Sequence, residues 1–253
     1  MEDLSIWKEE FKITHYFVNP DGLASIQGLS YCLQETAVNH AAAGKFGYGD
    51  LIKDNRAWVL TRQMIKLYKI PLISQKILVE SWVDQTTEII SIRDFHLLDS
   101  EKKLLGVART SWMLMDLKAR KPVKIPTQLI KRFPHSPGRI HEKLPLEKIP
   151  HLKSDYQDII PFQVVYNDLD MNHHVNNIQY LKWVLDDFSY DFRKKYRLES
   201  IESNYLSEAI YGDSLLRKTE PDEEKENIYL TKIINIKNKR PILASRTKWK
   251  GKD

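Results

Sequence analysis

Asp170, Asn172 and His174 alternate along the stretch VVYNDLDMNHHVNNIQYLKWV, residues 164–184, just ahead of an apolar periodic run. On an extended backbone alternate side chains share a face, so these three are predicted to point one way and Met171 and His173 the other. Val175, Ile178, Leu181, Leu185 and Phe188 recur at three- and four-residue steps, which predicts a helix starting near Val175. The free N–H groups of that helix start carry partial positive charge. Such a field favours a carboxylate at Asp170 and a neutral imidazole at His174, able to take a proton from water. The same N–H groups could hold the oxyanion of a carbonyl under attack. A water activator, an orienting group and oxyanion donors in one place form a hydrolase constellation.

Blander readings stand beside it. Asp170 and Asn172 are good helix-capping residues. The adjacent His173 and His174 suggest metal only at first sight. Neighbours on an extended chain diverge, and no HExxH, cysteine pair or carboxylate at ligand spacing accompanies them, so no metal or other cofactor is expected. Cys32 has no activating histidine nearby in sequence and reads as a small buried residue, while Tyr180 and Trp183 read as core packing.

The elements that must position these residues occur twice. FVNPDGLASIQGLSY (17–31) aligns with YNDLDMNHHVNNIQY (166–180) at an offset of 149, pairing Asp21 with Asp170 and Tyr31 with Tyr180. ARTSW (108–112) aligns with SRTKW (245–249) at an offset of 137. In that register Asp170 has a counterpart, whereas Asn172 and His174 face Leu23 and Ser25, which suggests that one copy does chemistry and the other binds. Each copy is predicted to run extended entry, helix, then strands. The entries are FKITHYFV (11–18) and PFQVVY (161–166), and the first helix spans roughly Ile26 to Ala43, ended by GKFGYGD. WVLTRQMIKLY, KILVESWV, TEIISIRDFHLL and LLGVARTSWMLM are the first strand set; SIESNYLS, SLLRKT, NIYLTKIINI and PILASRTKWK are the second. A helix followed by an antiparallel sheet that can wrap it is an α+β layer arrangement. The expected division is an N-terminal unit over 1–116, a proline-rich, basic linker over 117–160 with a short helix at TQLIKRF, and a C-terminal unit over 161–253.

The 253 residues suffice for two units of roughly 110–130 residues, each burying its own core. Hydrophobic residues at 42% and charged residues at 29% are ordinary for a globular protein, and no run of about 18 apolar residues suggests a transmembrane helix. The N-terminus MEDLSIWKEEFKI has neither signal-peptide nor transit-peptide character, and a single cysteine fits a reducing compartment, so a cytoplasmic location is expected. The net charge of +5 concentrates in KARKPVK (118–124), IKRF (130–133), RKKYR (193–197) and the tail from Lys237 to Lys252. This pattern suits an acidic macromolecular partner; nucleic acid is not expected, because no recognition motif accompanies the charge.

NDLDMNHHVNNIQYLKWVLD resembles the D-x-N-x-H-V-N-N-x-x-Y segment of acyl-acyl-carrier-protein thioesterases of plant plastids and bacteria. WMLMDLKARKPVKIP (112–126) is similar to the end of that family's first repeat, and NYLSEAIYGDSL (204–215) to the strand bearing its catalytic acid. The resemblance runs from about Phe11 to Trp249. It implies a tandem hot-dog fold, each antiparallel sheet wrapped around a long helix, with the first half holding the acyl chain and the second catalytic. It implies Asp170, Asn172, His174 and Glu208 as catalytic residues, with Glu202 as the other acidic candidate. The chain departs from the plant pattern in having Ala209 where plant members carry a cysteine, and one additional residue before Asp213. The implied reaction is hydrolysis of a fatty acyl thioester on acidic acyl carrier protein, and a homodimer is compatible with the fold. The alternatives are an acyl-CoA thioesterase on the same fold, a dehydratase or hydratase, and a non-catalytic acyl-thioester-binding module.

Overall fold

The computed structural model describes residues 4–131, 136, 139, 144, 146–150 and 160–252. It divides into two compact units, Met1–Leu146 and Glu147–Asp253.

The first unit contains strand β1 (Trp7–Lys12), helices α1 (Ile26–Ala43) and α2 (Tyr48–Leu51), strands β2 (Arg56–Leu67), β3 (Lys76–Thr86), β4 (Ile90–Asp99), β5 (Leu104–Asp116) and β6 (Lys121–Pro122), and helix α3 (Thr127–Ile130). Its sheet is antiparallel, ordered β1-β3-β4-β5-β2, with β6 on β5. Helix α1 starts where Ser25 Oγ accepts from the Gly28 N–H at 3.0 Å. Ile26, Leu29, Cys32, Leu33, Ala37 and Ala41 line its buried face, at three- and four-residue spacing. Burial of each leucine there is worth roughly 1.5–3 kcal/mol. Gly28 is required by close approach, since a Cβ at this position would lie 2.7 Å from Phe17 Cβ.

Past β5, Ile125 and Leu129 are buried in one cluster with Ala41, Phe46, Leu51, Val83 and Leu114. The short helix expected at TQLIKRF covers Thr127–Ile130. Within the rest of the expected linker, 132–135, 137–138, 140–143, 145 and 151–159 lie outside the described residues.

The second unit contains β7 (Phe162–Gln163), α4 (Asn177–Leu185), α5 (Tyr190–Lys195), β8 (Tyr196–Tyr205), β9 (Ser214–Pro221), β10 (Ile228–Asn235) and β11 (Pro241–Gly251). Its antiparallel order is β8-β11-β10-β9-β7. With β7 to β11 standing for β1, β2, β3, β4 and β5 in chain order, this is the arrangement of the first unit. The match extends to side chains. The Trp112 Nε1–H donates to Thr110 Oγ1 at 2.8 Å, and the Trp249 Nε1–H to Thr247 Oγ1 at 3.0 Å. The offset of 137 over ARTSW and SRTKW is therefore structural.

The offset of 149 over the helix entry is corrected to 151. The Ser25 N–H donates to Phe17 O at 2.7 Å and the Asn176 N–H to Asp168 O at 2.8 Å; Gly22 N–H donates to Asn19 O, and His173 N–H to Asp170 O. These pairs differ by 151 (176−25, 168−17, 173−22, 170−19). The burial of the two helices agrees: exposed Tyr31 matches exposed Lys182, and buried Leu29 matches buried Tyr180. Sequence identity favoured a register two residues off because Asp21 and Asp170 each accept from the N–H two residues on, whereas the backbone pairs that close the two loops are 151 apart.

A second correction concerns helix length. Helix α1 has 18 residues, whereas α4 stops after nine. Asp187 turns aside to accept from the Arg217 Nε–H and the Thr219 hydroxyl, both at 2.5 Å. Ser189 then caps α5, its Oγ accepting from the Phe192 N–H at 3.2 Å. Phe188, predicted to continue the helix, instead packs against Phe192, Tyr229 and Trp249.

Candidate active site

The segment carrying the polar residues is a tight loop rather than the extended strand predicted. The His173 N–H donates to Asp170 O at 3.0 Å, the Asp170 N–H to His174 O at 2.8 Å, and the Asn172 N–H to Asp170 Oδ1 at 2.8 Å. His173 takes the left-handed conformation with φ 61°, where its counterpart Gly22 has φ 75°. Asp and Asn favour such side-chain-closed turns, which is why the alternation did not propagate as a strand. The Asp170 carboxylate thus holds the loop shut. Asn172 and His173 are exposed at its tip, and the Asn172 side chain makes no hydrogen bond among the described residues. Helix α4 begins at Asn177, with Asn176 Oδ1 accepting from the Ile178 N–H at 2.9 Å, so one helix-start donor is already engaged.

After the loop His174 pairs with Ile210 as an isolated bridge, and the Val175 N–H donates to Ala209 O at 2.9 Å. This clip brings His174 Nε2 to 3.4 Å from Glu208 Oε2. The imidazole is about a quarter exposed and the carboxylate 40% exposed, open enough for a ligand and a water molecule to reach. Three further contacts fix the Glu208 loop. Buried Tyr180 accepts from the Ala209 N–H at 3.2 Å, Arg240 Nη2–H donates to Glu208 O at 2.7 Å, and Asp213 Oδ2 accepts from the Ile210 N–H at 3.1 Å. Burial pushes the Tyr180 phenol well above its ordinary value, and the nearby carboxylates of Glu208, Asp213 and Asp170 push the same way. The phenol stays protonated and can donate as well as accept.

Glu202, the other acidic candidate, is occupied elsewhere. It is buried, its Oε2 accepting from Arg246 Nη1–H at 2.9 Å and its Oε1 from the Glu147 N–H at 3.0 Å. Cys32 is fully buried and its thiol is pushed up to about 12 by desolvation, which leaves it unreactive. Tyr180 and Trp183 pack edge to face with ring centroids 5.2 Å apart. Among the described residues no group of three or more His, Cys, Asp or Glu is arranged to hold a metal, and no helix is long and apolar enough to cross a membrane.

The first unit repeats this clip without the ionisable pair. Leu23 bridges Leu72, the Ala24 N–H donates to Pro71 O, and the Ile73 N–H to Gly22 O. In the corrected register His174 matches Leu23, Asn172 matches Asp21 and Asp170 matches Asn19. Pro71 and Ala209 are equivalent as acceptors, so Glu208 matches Ile70. An imidazole–carboxylate pair in one unit is an aliphatic pair in the other.

Residues 5–133 match the Acyl-ACP thioesterase N-terminal domain, and residues 152–251 match the Acyl-ACP thioesterase C-terminal domain. The chain belongs to the acyl-ACP thioesterase family. It is 27% identical over 279 residues to a chloroplastic palmitoyl-acyl carrier protein thioesterase of Gossypium hirsutum, covering all of this chain and 65% of the plant protein. An acyl-ACP thioesterase crystal structure from Bacteroides thetaiotaomicron superposes with a TM-score of 0.86 at 27% identity, over 99% of this chain and 100% of the other. The 12:0-ACP thioesterase of Umbellularia californica superposes with a TM-score of 0.85 over 100% and 99% of the two chains; at 24% identity that likeness speaks to the fold alone. The chain thus spans just under two thirds of the length of the plant relative. As in these family structures, antiparallel strands predominate and helices are few.

The residues that sequence reasoning missed are Tyr180, as a hydrogen-bonding rather than purely packing residue, and Arg240. Nothing local marks Arg240, which reaches Glu208 across 32 positions of chain.

Proposed function

We propose that this acyl-ACP thioesterase family member hydrolyses fatty acyl thioesters of acyl carrier protein, with His174 and Glu208 as the proton-handling pair. The observation that carries the reading is their 3.4 Å approach in one unit, set against Leu23 and Ile70 in the other. Glu208 accepting from His174 Nε2–H leaves Nδ1 as the nitrogen with the lone pair. Nδ1 takes a proton from water as the hydroxyl oxygen bonds to the thioester carbon. The carbonyl oxygen becomes an oxyanion, and its donors are Asn172 and the Asn177 N–H at the start of α4, since the Ile178 and Gln179 N–H groups are already engaged by Asn176. Collapse breaks the C–S bond, and the proton held by His174 goes to the departing phosphopantetheine thiolate. The products are a free fatty acid and the carrier thiol. Asp170 acts by closing the loop that bears Asn172 and His174.

The two units are read as tandem hot-dog domains, the first accommodating the acyl chain and the second carrying the chemistry. The carrier is acidic and the compartment a reducing cytoplasm. An acyl-CoA thioesterase is the second reading; equal or better turnover of acyl-CoA than of acyl carrier protein with the same acyl group would favour it. His174→Ala and Glu208→Ala, assayed on acyl-carrier-protein substrates, test the pair. Near-normal turnover in either folded variant removes that residue from the mechanism.

A further inference from the structure

The basic residues of the second unit are unevenly used. From Asn227 to Lys252 the chain has no acidic residue, and the turn between β10 and β11 presents Lys237, Lys239 and Arg240, all exposed. Lys237 and Lys239 have no side-chain partner among the described residues. The turn is tightly built, which keeps the cations in place. Buried Asn235 accepts through Oδ1 from the Lys237 N–H at 3.0 Å and from the Asn238 N–H at 3.4 Å. Asn238 Oδ1 accepts from the Arg240 N–H at 3.0 Å, and Lys239 is left-handed with φ 57°.

This turn is joined to the loop that carries Glu208. Arg240 Nη2–H donates to Glu208 O, the Ile236 N–H donates to Ser214 O at 2.9 Å, and the Leu206 N–H donates to Ile242 O at 2.9 Å. The same loop exposes Leu206, Ile210 and Tyr211. A basic turn and an apolar rim therefore adjoin the His174–Glu208 pair.

The repeat supplies an internal control. The turn in the same place in the first unit, between β4 and β5, has the sequence DSEKK. There Asp99 Oδ1 accepts from the Glu101 and Lys103 N–H groups, and Lys103 Nζ pairs with Glu101 at 2.6 Å. The unit that lacks the imidazole–carboxylate pair has a turn that neutralises itself; the unit that has the pair has a turn of cations only. Helix α5, the other basic cluster of this unit, already engages Lys194 with Asp191 and with the Tyr190 ring.

We propose that the β10–β11 turn, through Lys237 and Lys239, is the docking surface for the acidic carrier protein, and that it delivers the carrier's thioester arm to the adjacent His174–Glu208 pair. This rests on the thioesterase reading above. Charges at the rim of a site act chiefly on encounter and its salt dependence, so the effect belongs in KM and not in kcat.

The test is the double variant Lys237→Glu/Lys239→Glu, with Arg193→Glu/Lys194→Glu as its comparison. Each is assayed on acyl carrier protein and on the pantetheine thioester of the same acyl group, with carrier-protein affinity measured by anisotropy. The expected result is a fall of about tenfold or more in kcat/KM for acyl carrier protein, borne by KM, with a flattened salt dependence and weaker carrier binding. Turnover of the pantetheine thioester stays within about twofold, which also shows that the variant is folded, and the α5 variant loses less than about threefold on the carrier substrate. Unchanged carrier affinity in the turn variant, or an equal loss on both substrates, or a larger loss in the α5 variant, overturns the assignment. If the unaltered protein turned over neither thioester, the thioesterase reading itself would fall, whatever the affinities.

Discussion

At the scale of single residues, the two acidic candidates stand in opposite environments. Glu208 is open to solvent and faces an imidazole; Glu202 is buried and faces a guanidinium. Glu208→Gln keeps the shape but removes the charge, and is expected to lower kcat by a factor on the order of 10² to 10⁴ with little change in thermal stability. Glu202→Gln leaves Arg246 without its counter-charge in a largely buried place, and should cost about 3 kcal/mol of stability. Denaturant melts alongside turnover separate the two; a Glu202→Gln protein of normal stability but abolished turnover would reverse the roles of the two glutamates. Of the four residues picked from sequence, His174 and Glu208 stand 3.4 Å apart. Asp170 proves to work on backbone, and Asn172 sits at an exposed loop tip. Their chemistry was legible because residue type declares it; which of them touch was not, since the contact is made by a clip between Val175 and Ala209.

At the scale of elements, the helix entries decide where the site residues stand. Asn176→Ala removes the acceptor for the Ile178 N–H and should cost about 1 kcal/mol, with loss of order at the start of α4. Circular dichroism and a denaturant melt would show it, and no change in stability would mean that the cap is redundant. Gly28→Ala is the sharper case. Alanine is favoured over glycine inside a helix by about 1 kcal/mol, yet the added Cβ would meet Phe17 Cα at 2.9 Å and Cβ at 2.7 Å. A net destabilisation of about 1–3 kcal/mol is expected, and a stabilised variant would show that the 3₁₀ turn His15–Phe17 can move aside. The strands were readable because β-branched and aromatic runs alternate between turn residues, and α1 matches its sequence bounds because Ser25 and Gly44 punctuate it. The early end of α4 was not readable, because Asp187 is drawn out by Arg217 and Thr219, which arrive some 30 residues later along the chain.

At the scale of the molecule, the first unit hides a titratable group whose effect is global. His40 is fully buried on α1, its Nδ1 2.7 Å from Arg93 Nη1 and its Nε2 2.8 Å from Leu4 O, with Trp7 stacked on the ring. Burial, and then the Arg93 charge, lower its pKa to about 4, while the Leu4 carbonyl works the other way. The folded chain therefore refuses a proton that the unfolded chain accepts below about 6.5. Stability from this group is full above about pH 6.5 and is lost as pH falls toward about 4, by roughly 3 kcal/mol in total. A series of denaturant melts between about pH 7 and 4 should show the decline, and His40→Gln should flatten it; an unaltered slope would place the acid sensitivity elsewhere.

By itself the sequence determined the duplication, the strand and turn succession, the family, and the residue types available for hydrolysis. The duplication and the strand succession follow from local periodicity and turn residues, and the family from the resemblance of quoted segments such as NDLDMNHHVNNIQYLKWVLD, all of which the chain carries without folding. Only the tertiary structure decided the true register of the repeat, the pairing of His174 with Glu208, the withdrawal of Glu202 into an ion pair, and the reach of Arg240 to the Glu208 loop. The register rests on backbone turns that residue identity does not reveal, and the other three depend on contacts between segments far apart along the chain, where no local pattern encodes which distant partner will satisfy a given carbonyl or carboxylate.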